Sequence, residues 1–199
     1  MKHEVTSLNT KKMFANALKE KMKTKSFSKI TVSEIISACH VNRKTFYYHF
    51  TDLYDLLNWI FQNEAVEVVK HFDLLIDYKE AIQFVINYIK ENEYLINCAF
   101  DSIGRDEMKR FFVSDFLELT LSIINSAEME TGVSLSEEYK QFLCSFYTEA
   151  LAGMLVEWIK NRQQYDEEQI AEYVHTTIKM SLIGILQSQK DLEKSGQGH

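Results

Sequence analysis

Not one of the 199 residues is a proline. At an average usage of about 5% a chain of this length would carry roughly ten. Proline locks φ, removes an amide donor and breaks helix interiors, and it is a preferred turn residue. A chain without it, and with only six glycines, of which Gly196 and Gly198 lie at the very end, is suited to long helices joined by short polar turns. Collagen-like, proline-rich and turn-dense β-sandwich folds are thereby disfavoured. With 46% apolar residues, thirteen Phe and ten Tyr, there is enough apolar surface for a substantial core, which excludes a disordered chain.

Cys39, Cys98 and Cys144 lie 59 and 46 residues apart. An odd number at such spacing is neither a disulfide framework nor a zinc motif, so buried free thiols are expected. The longest uninterrupted apolar run, Ala150 to Val156, is far short of the ~20 residues of a membrane span. The first residues lack the apolar stretch of a signal peptide. A soluble, cytoplasmic protein is expected.

The formal charge of −7 conceals a division. Residues 1–51 hold ten Lys or Arg against Glu4, Glu20 and Glu34, a net +7, whereas residues 52–199 hold twelve basic against twenty-six acidic residues, a net −14. A polyanion responds to the local field, and an acidic body further away than a Debye length of ~10 Å does not cancel it. The basic quarter is thus suited to nucleic acid, although a solvated lysine-rich helix face has the same composition.

Apolar spacing predicts a first helix over about 9–24, with Met13, Phe14, Ala17, Leu18 and Met22 on one face. Thr31-Val32-Ser33-Glu34 has capping-box spacing and opens a short second helix with Ile35, Ile36 and Cys39 inward. His40-Val41-Asn42 makes a tight turn, and Asn42 caps a third helix over about 43–49. A fourth runs from near Thr51 through Phe61 and beyond. Further helices are expected near 78–91, 93–100, 106–130, 135–162 and 166–189, with breaks at Asp77, Asn92, Ser102-Ile103-Gly104 and Thr131-Gly132-Val133. Asp166 and Gln169 repeat the cap spacing at the last of these. The fold class is all-α, nine helices.

Residues 31–50 therefore form a short helix, a three-residue turn and a second short helix inside the basic quarter, the shape of a helix-turn-helix. The second helix would offer Arg43, Lys44, Thr45, Tyr47, Tyr48 and His49 to the major groove. Arg43 can bond guanine bidentately, Lys44 reaches guanine or phosphate, and the hydroxyls and imidazole suit phosphate oxygens. Thr31 and Ser33 sit beside the amides at the start of the preceding helix, where a phosphate could rest. An ordinary helical hairpin with an aromatic core has the same local pattern.

The stretches Ile30-Thr31-Val32-Ser33-Glu34-Ile35-Ile36 and Val41-Asn42-Arg43-Lys44-Thr45-Phe46-Tyr47-Tyr48-His49-Phe50 resemble the DNA-binding domain of the tetracycline-repressor (TetR/AcrR) family. Thr45, Phe46, Tyr47, His49 and Phe50 follow the family's Thr-hydrophobic-Tyr-x-His-Phe in order, and the resemblance covers about residues 8–62. It implies phosphate contacts at Thr31, Ser33, Thr45, Tyr47 and His49, base contacts at Arg43, Lys44 and Tyr48, and core positions at Phe46 and Phe50. Two positions depart from the family. His40 replaces the turn glycine and must accept a positive φ. Leu53 replaces a lysine that grips phosphate, leaving Thr51 as the expected cap of the fourth helix. Leu57-Asn58-Trp59-Ile60-Phe61 further resembles a branch related to dihydroxyacetone-kinase operon regulators, some of which act with a protein co-regulator.

The domain division expected is 1–52 for DNA binding and 53–199 for effector binding and dimerisation. A single short reader covers few base pairs, so a homodimer on a pseudo-palindromic operator is expected. Its surface would be two apolar stripes. One is Tyr139, Phe142, Leu143, Phe146, Tyr147, Ala150, Leu151, Met154, Leu155, Trp158 and Ile159; the other is Ile170, Val174, Ile178, Leu182, Ile185 and Leu186. Gly153 and Gly184 lie inside these helices, either at a close crossing or as tolerated glycines. The aromatic middle helices, with Phe84, Tyr88, Tyr94, Phe100, Phe111, Phe112 and Phe116, would hold a pocket for an unidentified small-molecule effector by family resemblance, although a packed core has the same composition. His71 and Asp101 are further polar groups there. No nucleophile motif, phosphate-cradling loop or metal-ligand spacing occurs, so no enzyme, cofactor or metal is expected. The reading is a ligand-responsive transcriptional regulator, by resemblance a repressor. The alternative is an all-helical small-molecule or protein-interaction module without DNA binding.

Overall fold

A computed structural model describes residues 2–66, 69, 71, 78–161 and 166–196. Among these residues there are helices and turns and no strand. The helices are α1 (Lys2–Met22), α2 (Val32–Ala38), α3 (Arg43–His49), α4 (Leu53–Phe61), α5 (Tyr78–Glu91), α6 (Glu93–Thr131), α7 (Glu137–Lys160) and α8 (Glu167–Gly196). α6 contains one non-helical residue, Gly104 (φ 78°, ψ 175°), and dividing it there restores the expected count of nine among the described residues. Two compact units are formed, residues 1–67 with 89–108, and residues 68–88 with 109–199.

The first unit is organised by caps and aromatics. α1 starts earlier than its apolar spacing suggests because residues 2–8 contain no breaker, and it buries Phe14, Ala15, Leu18 and Met22. Thr31 and Glu34 close the capping box of α2: Thr31 Oγ1 accepts from the Glu34 amide at 3.3 Å, and Glu34 Oε2 accepts from the Thr31 amide at 2.9 Å. α2 ends with His40 at φ 54°. The His40 amide donates to Ser37 O (3.2 Å) and the Val41 amide to Ile36 O (3.1 Å), the paired bonds of a Schellman motif. Asn42 Oδ1 then accepts from the Thr45 amide at 2.9 Å, starting α3 as expected.

At α4 the expectation needs correction. The cap is Asp52, whose Oδ1 accepts from the Asp55 amide at 2.9 Å. Thr51 instead donates its amide and hydroxyl to Asp55 Oδ2 at 2.8 and 3.2 Å. Both residues carry a capping oxygen, and the spacing alone does not choose between them. Leu53 is 9% exposed and fills the core, which accounts for an apolar residue at this position. α4 is not an uninterrupted rod: it passes into a π-helical turn over Gln62–Val66, where Asn63 Nδ2 donates to Trp59 O and Lys19 Nζ bonds Glu64 at 2.9 Å. Most of the continuation through 67–77, including the expected break at Asp77, lies outside the described residues.

Ile35, Phe46, Phe50, Leu56, Leu57, Ile60 and Phe61 are also buried in this unit, as are Leu95, Ile96 and Ala99 from the part of α6 before Gly104 and Met108 just after it. Lys23 Nζ lies 5.6 Å from the Tyr94 ring centre, and Cys98 Sγ lies 3.5 Å from Lys25 O. The contact unit is thus larger than the helix–turn–helix segment 31–50. Of the three thiols only Cys144 is buried; Cys39 and Cys98 are half-buried.

The second unit has its own core of Ile123, Ile124, Ala127, Val133, Leu135, Leu143, Cys144, Tyr147, Leu182 and Leu186. α7 and α8 are joined by Tyr147 Oη and Ser181 Oγ at 2.8 Å, and α6 and α7 by Thr120 Oγ1 and Thr148 Oγ1 at 2.8 Å. α7 is long and apolar enough by composition (mean hydropathy 1.3) to pass for a membrane span, which counting uninterrupted runs does not anticipate. Leu143, Ala152, Val156 and Ile159 are nevertheless buried within the protein, and Glu149 and Glu157 bound the longest apolar run. The broad stripe expected on α7 divides lengthwise. Leu143, Tyr147, Trp158 and Ile159 serve the core, while Phe142 (60%), Phe146 (57%) and Met154 (42%) are exposed. An added Cβ at Gly184 meets nothing within 4 Å, and at Gly153 only Lys109 Cε at 3.9 Å. Within one chain these two glycines therefore do not mark a close crossing.

Candidate nucleic-acid interface

α3 is seven residues long and its side chains sort by helical position. Phe46 is fully buried and Phe50, its C-cap, is 3% exposed. Phe46 packs edge-on against Phe14 of α1 at 5.3 Å between ring centres, and lies 5.9 Å from Phe50. These aromatics fix the helix by its inner face. The outer face then carries Arg43, Lys44, Tyr47 and Tyr48, all exposed, with Tyr48 at 72%. Two large aromatics held out in water next to two cations are costly for a monomer and natural for a binding surface.

The outer face is partly organised before any partner arrives. Arg43 Nη2 donates to Tyr47 Oη at 3.1 Å, and the Arg43 Cζ lies 5.4 Å from the Tyr47 ring centre. The i, i+4 spacing of these residues is the signal in the sequence that permits this contact. Tyr48 turns its ring edge onto His49 at 4.9 Å. Burial, aided by the positive charge of Lys11, lowers the pKa of the His49 imidazole from its ordinary value. Lys11 itself lies 5.5 Å from the Phe50 ring centre and 5.7 Å from that of Trp59.

The remaining expected phosphate contacts are not equivalent. Ser33 is exposed in the first turn of α2. The Thr31 hydroxyl already donates to Glu34 Oε2 at 3.0 Å, and that of Thr45 to Asn42 Oδ1 at 3.1 Å. Both hydroxyls are thus engaged in caps. Lys25 Nζ bonds both oxygens of Glu34 at 2.8 and 2.9 Å, and with the Thr31 donors this holds the Glu34 carboxyl down to about 2. The acidic group in this region is thereby neutralised by its own lysine. Lys29, Arg43 and Lys44 are exposed cations of this region.

A capped α2–turn–α3 pair, with an aromatic inner face and a cationic outer one, defines a helix-turn-helix DNA-binding regulator. Residues 16–59 match the family described as bacterial regulatory proteins, tetR family, and residues 77–180 match the TetR-type family described as transcriptional regulator C-terminal region. The chain belongs to the TetR family of transcriptional regulators. It is similar to the HTH-type dhaKLM operon transcriptional activator DhaS of Lactococcus lactis subsp. lactis (strain IL1403), with 26% identity over 153 residues that cover 77% of this chain and 81% of that protein. A solved structure of a dihydroxyacetone kinase operon activator DhaS has the same fold, with TM-score 0.63 and 24% identity over 89% of this chain and 97% of that one.

Proposed function

We propose that this protein regulates transcription as a homodimer that reads a pseudo-palindromic operator through the outer face of α3, in the cytoplasm, in response to an effector. The observation that carries the reading is the exposed cluster Arg43, Lys44, Tyr47 and Tyr48 on a helix whose inner face is locked by Phe46 and Phe50. In this reading Arg43, Lys44 and Tyr48 meet base edges, while Ser33, Tyr47 and His49 meet phosphates. Thr31 and Thr45 act there mainly by holding the helix starts, since their hydroxyls are already bonded. Residues 1–52 supply DNA binding and the remainder dimerisation and effector response.

Dimerisation is supported by the exposed half of the α7 stripe, Phe142, Phe146 and Met154, together with Tyr173 and Met180 of α8. Paired across a two-fold axis these helices would form a four-helix bundle. The effector is either a small molecule or a co-regulator protein. Trp158 supports the first, because its indole Nε1–H is buried in α7 without an acceptor among the described residues and would gain one from a polar ligand. The similarity to DhaS suggests an operon regulator of the same branch. Family resemblance implies repression, whereas that relative is an activator; the sign depends on where the operator lies relative to the promoter.

The test is anisotropy titration of labelled fragments from upstream of the protein's own gene at several salt concentrations. Affinity should fall steeply with salt as counterions are released. Absence of salt-dependent binding to every fragment would leave the interaction-module reading.

A further inference from the structure

We infer that Tyr47 is a positioning residue for Arg43, so that the phenol at this site sets base choice as well as touching the DNA backbone. The inference rests on the DNA-reading role proposed above. Helical side chains lean toward the N-terminus, which brings the ring at position 47 over the turn that carries position 43. The resulting contact has two parts, the 3.1 Å hydrogen bond from Arg43 Nη2 to Tyr47 Oη and the guanidinium 5.4 Å from the ring centre. Arg43 and Tyr47 are both exposed, and the Tyr47 ring lies at right angles to the buried Phe46 ring with centres 5.5 Å apart, so the core steadies the phenol and the phenol in turn holds the exposed guanidinium.

The chemistry of the guanidinium makes the arrangement useful. It has five N–H donors and no acceptor. One donated to Tyr47 leaves four, enough for the parallel pair that reads guanine O6 and N7. An arginine on an exposed helix would otherwise spread over many rotamers, and that freedom would be lost on binding. The phenol holds the fork in one place beforehand. Its own O–H proton stays free to be donated, since Tyr47 Oη accepts from Arg43, and that proton can go to a phosphate oxygen. Lys44 and Tyr48 have the same spacing, but Tyr48 packs its ring edge on His49 instead. The consequence is a single pre-set reader at the start of α3 beside an exposed lysine.

The experiment measures affinity of full-length wild type, Tyr47→Phe, Arg43→Ala and the double variant for a footprinted operator and for copies with each half-site base pair exchanged in turn. In wild type one guanine position should depend most on Arg43. At that position Tyr47→Phe should lower the discrimination between guanine and its replacement by about fivefold to tenfold. At the other positions the ratio should stay as in wild type, and in the Arg43→Ala background Tyr47→Phe should leave every ratio unchanged. Uniform weakening with all ratios intact would overturn the inference and leave Tyr47 a phosphate contact alone. So would a Tyr47→Phe variant identical to wild type. If wild type binds no fragment, the failure is that of the DNA-reading proposal itself, and it is visible before any variant is compared. Matched thermal unfolding of the variants excludes a folding defect.

Discussion

His40 bears the sharpest backbone demand in the head, a β-carbon held at φ 54° between the two bonds of the Schellman turn. For an L-residue that region costs roughly 1–2 kcal/mol, part of which glycine returns in unfolded-state entropy. His40→Gly should therefore raise stability by about 0.5–1 kcal/mol, read as a later denaturation midpoint. Asn42→Ala should lower it by about 1 kcal/mol through loss of the α3 cap. Glu34 gives a pH signature. Its carboxyl is held at about 2 in the folded chain, first by Lys25 and then by Thr31, against an ordinary 4.5. The stabilisation is complete above pH 4.5 and fades as pH falls toward 2. Glu34→Gln keeps the cap acceptor without the titration, so its unfolding midpoint should change less across that window. The box at Thr31 was legible in sequence because it depends on a neighbour three residues away, and the strain at His40 because the family resemblance places a glycine there. The choice of Asp52 over Thr51 was not, since adjacent oxygens compete and only the backbone angles decide.

The same limit applies to whole helices. Element order was readable because a chain without proline marks its breaks by caps and glycines, and Gly104 sits within the expected break. Its φ of 78° with ψ of 175° is a region essentially reserved for glycine, while the space around its missing Cβ is open. Gly104→Ala should thus cost about 1–3 kcal/mol from backbone alone, seen by chemical denaturation. What periodicity could not resolve is how one apolar helix is shared. A stripe as broad as that on α7 has more width than one neighbour can cover, and spacing does not say which edge stays outside. The structure assigns Leu143 and Tyr147 to the core and leaves Phe142 and Phe146 exposed. The contact of Arg43 with Tyr47 was likewise hidden, because spacing permits it and only side-chain geometry makes it.

At the scale of the molecule the net charge of −7 misleads, since the reading head and the remaining chain carry opposite signs. In the proposed dimer the exposed edge of α7 and α8 is the interface. Phe146→Glu with Met180→Glu should convert a dimer to a monomer in sedimentation, because like charges would meet across an apolar interface. The same pair should weaken operator binding at least about tenfold, as one half-site alone is then held. The central claim, that the outer face of α3 reads DNA, is tested most directly by footprinting wild type and Arg43→Ala on the region upstream of the protein's own gene. Wild type should protect two related half-sites whose centres are one helical turn or a multiple of it apart, and Arg43→Ala should lose about 1–3 kcal/mol of affinity with relaxed choice at one guanine in each. No protection by wild type, or protection that Arg43→Ala leaves unchanged, would contradict it.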